Sequence, residues 1–216
     1  NFTIFGMGGL SNNFKAQAPQ EEWEERRDIY EINYLSATGL AGFTHSAAIG
    51  RKTIWKTTGV YSRLKTEYQE IFPPTFQSNL EHETSKISAT SQIISHPTRL
   101  LELTAGVSFT HNTFQDSLNS YAKKLLTNTS YFTPFINLNF SLSKNIHLNI
   151  GGNLNFLKVK RTNSPVFSRP TIVAKTTTYD KTAIFDPRAA LIWNISSNQQ
   201  LSYYIGQHSH IWNLES

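Results

Sequence analysis

The chain has 216 residues with 20 Lys+Arg against 15 Asp+Glu, a formal charge of +5, and only 16% charged residues beside 38% hydrophobic and 12% aromatic. This composition excludes a disordered polyelectrolyte, which needs high charge and few aromatics, and no heptad run supports a coiled coil. Cysteine is absent, so there is neither a disulfide framework nor a thiolate metal site, and no apolar run approaches the ~20 residues of a membrane-spanning helix.

In chain order, Phe2 to Gly8 reads as a Gly-containing strand, and the chain starts at Asn1 inside it. No basic segment with a following apolar stretch marks a signal peptide there. The sequence therefore reads as an internal piece of a longer protein or a chain traced in part. Residues 9–37 are expected to form a long connection. Within it, Glu21-Glu22-Trp23-Glu24-Glu25-Arg26-Arg27-Asp28 is rich in carboxylates but lacks the spacing of a calcium loop. Two arginines compete for those carboxylates, so a solvated hinge or the upper part of a strand is the better reading. Tyr30, Ile32 and Tyr34 already alternate. Leu40 to Ile49, a Gly50-Arg51-Lys52 turn and Ile54 to Leu64 form a hairpin. Residues 66–83 are expected as a connection stiffened by Pro73-Pro74. Lys86 to Ser95, a His96-Pro97-Thr98 turn and Arg99 to Phe109 form the next hairpin.

Residues 110–130, rich in Asn, Ser and Thr with Tyr121 and Lys123-Lys124, are expected as another long connection. The clearest alternation follows. Phe132, Pro134, Ile136, Leu138, Phe140 and Leu142 alternate with Thr133, Phe135, Asn137, Asn139 and Ser141. After a Ser143-Lys144-Asn145 turn the pattern repeats from Ile146 to Phe156, with His147, Asn149, Gly151, Asn153 and Asn155 on the other face. A helix would scatter those asparagines around its circumference, whereas a strand collects them on one side. Residues 160–182 are expected as a fourth long connection. Lys158, Lys160, Arg161, Arg169, Lys175 and Lys181 make this stretch basic; a solvated loop that keeps the surface soluble is the better reading, and attraction of an anionic ligand or lipopolysaccharide phosphates is the alternative. Phe185 to Ile195 alternate again, followed by a Ser196-Ser197-Asn198 turn and a strand from Leu201 to Ile205.

About nine strands result, with short and long connections alternating along the chain. An up-and-down antiparallel sheet then has tight turns on one rim and long loops on the other. That sorting, with strands of about 10–14 residues, is the pattern of a transmembrane β-barrel. Trp55 and Trp193 lie near short turns, where an interfacial aromatic girdle would sit; ordinary buried core aromatics are the equal alternative. Catalytic signatures are missing: no Gly-x-Ser-x-Gly, no phosphate-binding glycine loop and no His-Glu-x-x-His. His208-Ser209-His210 would share a strand face, but no third metal ligand is near in sequence. No cofactor is indicated. The basic residues are dispersed, without the aromatic interleaving of a nucleic-acid surface.

The run Asp186-Pro187-Arg188-Ala189-Ala190-Leu191-Ile192-Trp193, its turn, and Gln200-Leu201-Ser202-Tyr203-Tyr204-Ile205-Gly206-Gln207-His208-Ser209 resembles barrel strands of TonB-dependent outer-membrane receptors. Phe2 to Gly9 with Trp23-Glu24-Glu25-Arg26, and Gly42-Phe43-Thr44-His45 to Lys56-Thr57, are similar to the same family. The resemblance implies an all-β, antiparallel up-and-down transmembrane β-barrel, with residues 1–216 forming about nine strands of a larger barrel of about 22. The plug domain and closing strands would lie outside this chain. It also implies energised uptake of a scarce nutrient (siderophore, vitamin, oligosaccharide or peptide) across the bacterial outer membrane, with no enzymatic step. Its partners would be outer-membrane lipid and lipopolysaccharide, the protein's own plug, the TonB complex acting through that plug, and a surface lipoprotein in some assemblies. On this reading Asn137, Asn139, Asn149, Asn153 and Asn155 face the lumen or plug, and Trp23, Tyr121, Arg161 and Arg169 are candidate ligand contacts from the loops. Two alternatives stay open. One is a self-contained small outer-membrane barrel (porin, adhesin, or protease using His82, Glu83 and His111). The other is a soluble secreted all-β binding module.

Overall fold

A computed structural model describes residues 1–25, 29–72, 76–118, 123–165, 176–196 and 198–207. Among them the chain forms one antiparallel meander: β1 (Phe2–Lys15), β2 (Glu31–Ala48), β3 (Thr53–Phe72), β4 (Phe76–Ser95), β5 (Leu101–Leu118), β6 (Lys123–Ser141), β7 (Ile146–Pro165), β8 (Thr176–Ser196) and β9 (Gln199–Gly206). A short 3-10 turn at Gln20–Glu22 lies between β1 and β2. Each strand pairs with its sequence neighbours in the order β1 to β9, so the nine-stranded sheet is open and β1 and β9 are its edges. All-β architecture, strand number and up-and-down order agree with the sequence reading.

The pairing register carries the alternation from strand to strand. Phe109, Phe132, Phe156 and Ala183 occupy one cross-strand row, and Ala105, Ile136, Gly152 and Pro187 another. All lie on one face, here called the outer face. Between β6 and β7 the ladder skips Thr133 and Pro134, as expected where a proline has no N–H to contribute. At the first tight turn Gly50 adopts φ 147°, a conformation that a side chain resists.

The outer face has no covering layer among the described residues. Ile136 is 49% exposed, Phe132 45% and Phe185 58%, while Leu157 and Val159 are the only buried apolar side chains described. A water-soluble sheet would bury those residues against a second layer. The uncovered apolar stretch runs over residues 132–142 on β6 and its turn, 146–156 on β7 and 185–195 on β8, eleven residues each. At ~3.3 Å per residue and ~45° tilt, that length rises about 26 Å, the height of the ~25 Å apolar band of a membrane barrel. Trp55 and Trp193 sit on this face near the tight-turn rim, 40% and 46% exposed. The Trp55 Nε1 donates to Ser91 Oγ at 2.9 Å.

The long connections expected from the sequence are corrected. Residues 9–15 and 31–37 belong to β1 and β2, nearly all of 66–83 to β3 and β4, most of 110–130 to β5 and β6, and both ends of 160–182 to β7 and β8. On that rim the residues between strands are 16–30, 73–75, 119–122 and 166–175, so two of the four are as short as the tight turns. The strands are correspondingly longer than expected, 14 to 21 residues except for β9. A strand of 20 residues climbs about 45 Å at ~45° tilt, so β3, β4 and β7 extend about 20 Å past the apolar band. In that upper part the outer face becomes charged. Beyond the level of Tyr61 and Ile87, Arg63 Nε meets Glu83 Oε1 at 2.9 Å and Lys65 Nζ meets Glu81 Oε1 at 3.0 Å. The Arg63 guanidinium, hydrogen-bonded to Glu83, holds that carboxyl below the usual carboxylate range.

Candidate functional site

The inner face is built from the other half of each alternation and is dominated by short polar side chains. Thr44 and Thr58, Ser88 and Thr110, and Thr90 and Ser108 approach within 3.5, 3.1 and 3.1 Å, forming hydroxyl pairs across adjacent strands. The hydroxyls satisfy one another and leave their outer lone pairs to solvent, as a wetted wall requires.

On β5 to β9 this face becomes a polar recess of about 500 Å³, lined among others by Asn137, Asn139, Asn149, Asn153, Asp186 and Arg188. Three anchored groups hold it. Arg188 Nη2 donates to Asn137 Oδ1 at 3.0 Å, passing over β7 at Gly151, its register partner and that of Asn137. A Cβ on Gly151 would overlap Asn137 Oδ1 and come within 2.8 Å of the Ile136 carbonyl oxygen. Thr133 Oγ1 donates to Asn155 Oδ1 (3.0 Å), and Asn155 Nδ2 donates to Asp186 Oδ2 (2.7 Å). Asp186 is 9% exposed, so the second of these is a charge-assisted bond in a largely desolvated position. Nearer the tight-turn rim, Asn139 Nδ2 donates to Glu102 Oε1 (3.0 Å), whose Oε2 lies 3.0 Å from His96 Nε2. Asn149 and Asn153 have no partner among the described residues, so their amides are available to water or a bound group.

The structure thus gathers four of the five predicted asparagines in one recess and ties the fifth, Asn155, to its margin. The ligand candidates are not gathered. Trp23 sits in the connection between β1 and β2, where its Nε1 donates to the Ala18 carbonyl at 2.9 Å, which pins the connection to itself. Arg161 lies on β7, five strand positions from β2, on the inner face with Asn155. Tyr121 and Arg169 lie outside the described residues, as do Pro73, Pro74, His208 and His210. The residues proposed for a protease are separated. His82 is on the inner face, with Nδ1 2.7 Å from Asp116 Oδ1 and Nε2 3.2 Å from Thr84 Oγ1. Glu83 and His111, at odd positions of β4 and β5, are on the outer face. Glu83 is paired with Arg63, and His111 Nδ1 lies 2.9 Å from Ser130 Oγ. No group of three metal-ligating side chains occurs among the described residues.

Asp186, Arg188 and Glu102 were not singled out as site residues from the sequence. A signal existed: two opposite charges two apart around Pro187 share one strand face, opposite the alternating apolar residues Phe185, Pro187 and Ala189. Their partners, 31 and 51 residues away, follow only from the register.

No protein-family model matches the sequence, and no curated protein does. Solved structures do match. The ferric-catecholate import receptor Fiu from E. coli K12 superimposes in its closed form with a TM-score of 0.66, at 13% identity, over 95% of this chain and 40% of that one. Its open form gives 0.63 at 15% identity, over 84% and 37%. The ferric yersiniabactin uptake receptor FyuA from Yersinia pestis gives 0.65 at 8% identity, over 93% and 33%. The fold is therefore that of the barrel wall of these import receptors, and the chain spans between a third and two fifths of the length of these structures.

Proposed function

We propose that residues 1–216 form part of the barrel of a TonB-dependent receptor in the bacterial outer membrane, taking up a scarce nutrient: a siderophore, vitamin, oligosaccharide or peptide. The observation that carries this reading is the eleven-residue apolar band on the outer face of successive strands, backed by a polar inner face. It supports a reading with lipid outside and water or a plug inside. The barrel likeness to two metal-chelate import receptors supports transport in preference to catalysis. Passage through such a barrel makes and breaks no covalent bond, so no enzymatic step is assigned.

Within this reading the recess of Asn137, Asn139, Asn149 and Asn153, with Asn155 at its margin, faces the lumen and offers amide hydrogen bonds to the plug. Trp23, Tyr121, Arg161 and Arg169 are ligand contacts toward the extracellular rim. The TonB complex acts through the plug, and the outer face meets lipid and lipopolysaccharide. A surface lipoprotein at the extracellular rim is an optional further partner. The open edges at β1 and β9 disfavour a self-contained small barrel, since an unpaired edge is not tolerated in the hydrocarbon layer. The uncovered apolar face disfavours a soluble module.

The test is cellular. In the native bacterium, disrupting the gene should abolish growth on one limiting nutrient, and disrupting TonB should have the same effect for that nutrient. Full-length protein recovered in the soluble fraction would refute the reading.

A further inference from the structure

The outer face of β7 and β8 carries an uncompensated cation pair. Lys158 and Lys181 are direct cross-strand partners, both exposed. Like charges placed opposite one another destabilise a sheet. Neither has an anionic partner among the described residues. One step further toward the connection rim, Lys160 lies over the Tyr179 ring at 5.6 Å. Strands β6 and β7 contain no Asp or Glu, and on β8 both acidic residues, Asp180 and Asp186, are at inner-face positions. The cations of β3 and β4 differ in this respect, because Arg63 and Lys65 are matched by Glu83 and Glu81. Immediately below the lysine pair, at the edge of the apolar band, Phe109, Phe132 and Phe156 line a recess of about 450 Å³ that also includes Lys158 and Lys181.

From this juxtaposition of paired lysines and aromatic recess we infer a binding site for a phosphorylated lipid of the outer leaflet. Its phosphate sits between Lys158 and Lys181 and an acyl chain lies along Phe109, Phe132 and Phe156. The inference rests on the membrane reading above. A free anion would be drawn to the lysines but has no use for the aromatic recess, whereas an uncharged lipid would fill the recess and leave the lysine repulsion unrelieved. A lipid with an anionic head satisfies both.

The experiment is native mass spectrometry of the full-length protein in detergent, titrated with bis-phosphorylated lipid A, with enzymatically dephosphorylated lipid A and with inorganic phosphate. Wild-type protein should retain bis-phosphorylated lipid A and bind the dephosphorylated form more weakly. Replacing both lysines (Lys158→Ala with Lys181→Ala) should weaken binding by roughly 30-fold, from the ordinary gain per lysine near an anionic surface. Lys158→Arg with Lys181→Arg should restore it. Lys181→Glu, which places an acid opposite Lys158, should also abolish retention while favouring the folded sheet. Arg63→Ala should leave retention unchanged. Equal retention of the two lipids, equal retention by the double alanine variant, or full displacement by millimolar phosphate would each overturn the inference. Heat-modifiable electrophoretic mobility reports barrel folding in the same samples. A barrel that folds yet does not distinguish the lipids refutes this site and leaves the receptor reading standing.

Discussion

Arg188 and Asn137 lie on strands two apart in the sheet, yet the Arg188 guanidinium donates to the Asn137 carbonyl oxygen at 3.0 Å because Gly151 leaves the space between them open. The bond joins β6 to β8 across β7 and fixes the floor of the polar recess. Gly151→Val should displace both side chains and destabilise the refolded full-length barrel by about 1–3 kcal/mol, the usual cost of overpacking. Gly9→Ala, on the edge strand β1 where an added Cβ meets only Thr38 Cγ2 at 3.9 Å, serves as a mild comparison. Urea unfolding followed by tryptophan fluorescence measures both. Equal stability of Gly151→Val and wild type would show that the close approach does not exist.

The Asn155–Asp186 bond is short, charge-assisted and nearly buried. Asn155→Ala should cost about 1–3 kcal/mol, because it leaves the Asp186 carboxylate desolvated without that donor. Replacing both residues should cost less than the sum of the single changes. A double-mutant cycle should return a coupling of about 0.5–3 kcal/mol. Additive single changes would contradict the contact.

The outer band predicts a depth profile. Relative to alanine at the same position, Ile136→Arg at mid-band should destabilise the barrel in lipid by about 2–4 kcal/mol, and Phe132→Arg at the band edge by about 1 kcal/mol or less. Asn137→Arg, one residue along but on the inner face, should not follow this profile. Unfolding in lipid vesicles measures the series, and equal cost at Ile136 and Phe132 would refute the depth assignment.

The upper, water-exposed part of β3 and β4 predicts a salt effect. The Arg63–Glu83 and Lys65–Glu81 pairs are surface pairs, so Glu83→Gln should change global stability by no more than about 1 kcal/mol, with the difference shrinking as ionic strength rises. Unfolding curves at low and high salt test this, and a large salt-independent loss would place Glu83 in a low-dielectric setting.

The middle of each strand was legible because an apolar and a polar face impose opposite demands on successive residues. From Phe132 to Leu142 every second side chain is apolar, and no other element satisfies that period. The strand ends were not legible for the same reason. Past the apolar band the outer face of β6 turns polar too, so Thr127, Asn128, Thr129 and Ser130 show no alternation and read as loop, although they pair with Arg161, Lys160, Val159 and Lys158 of β7. The high β-propensity of threonine was the available signal there. That the asparagines share one face, opposite the apolar residues, was readable from period alone. Their partners Arg188, Asp186 and Glu102 were not, since a cross-strand neighbour tens of residues away is fixed by register and turn length. The proposed protease residues failed on parity. His82 and Glu83 are adjacent in sequence and so point to opposite faces of β4.

The central claim is that the apolar face is wetted by lipid. Residues 1–216 contain no cysteine, so, with any cysteine elsewhere in the full-length protein replaced by serine, single cysteines can be introduced one at a time along residues 132–142 in bilayers, spin-labelled, and tested for collision with oxygen and with a water-soluble nickel complex. The account predicts alternation with period two: even positions from Phe132 to Leu142 accessible to oxygen and shielded from nickel, odd positions from Thr133 to Ser141 the reverse or shielded from both. Even positions that are inaccessible to oxygen, or a scan with no alternation, would contradict it.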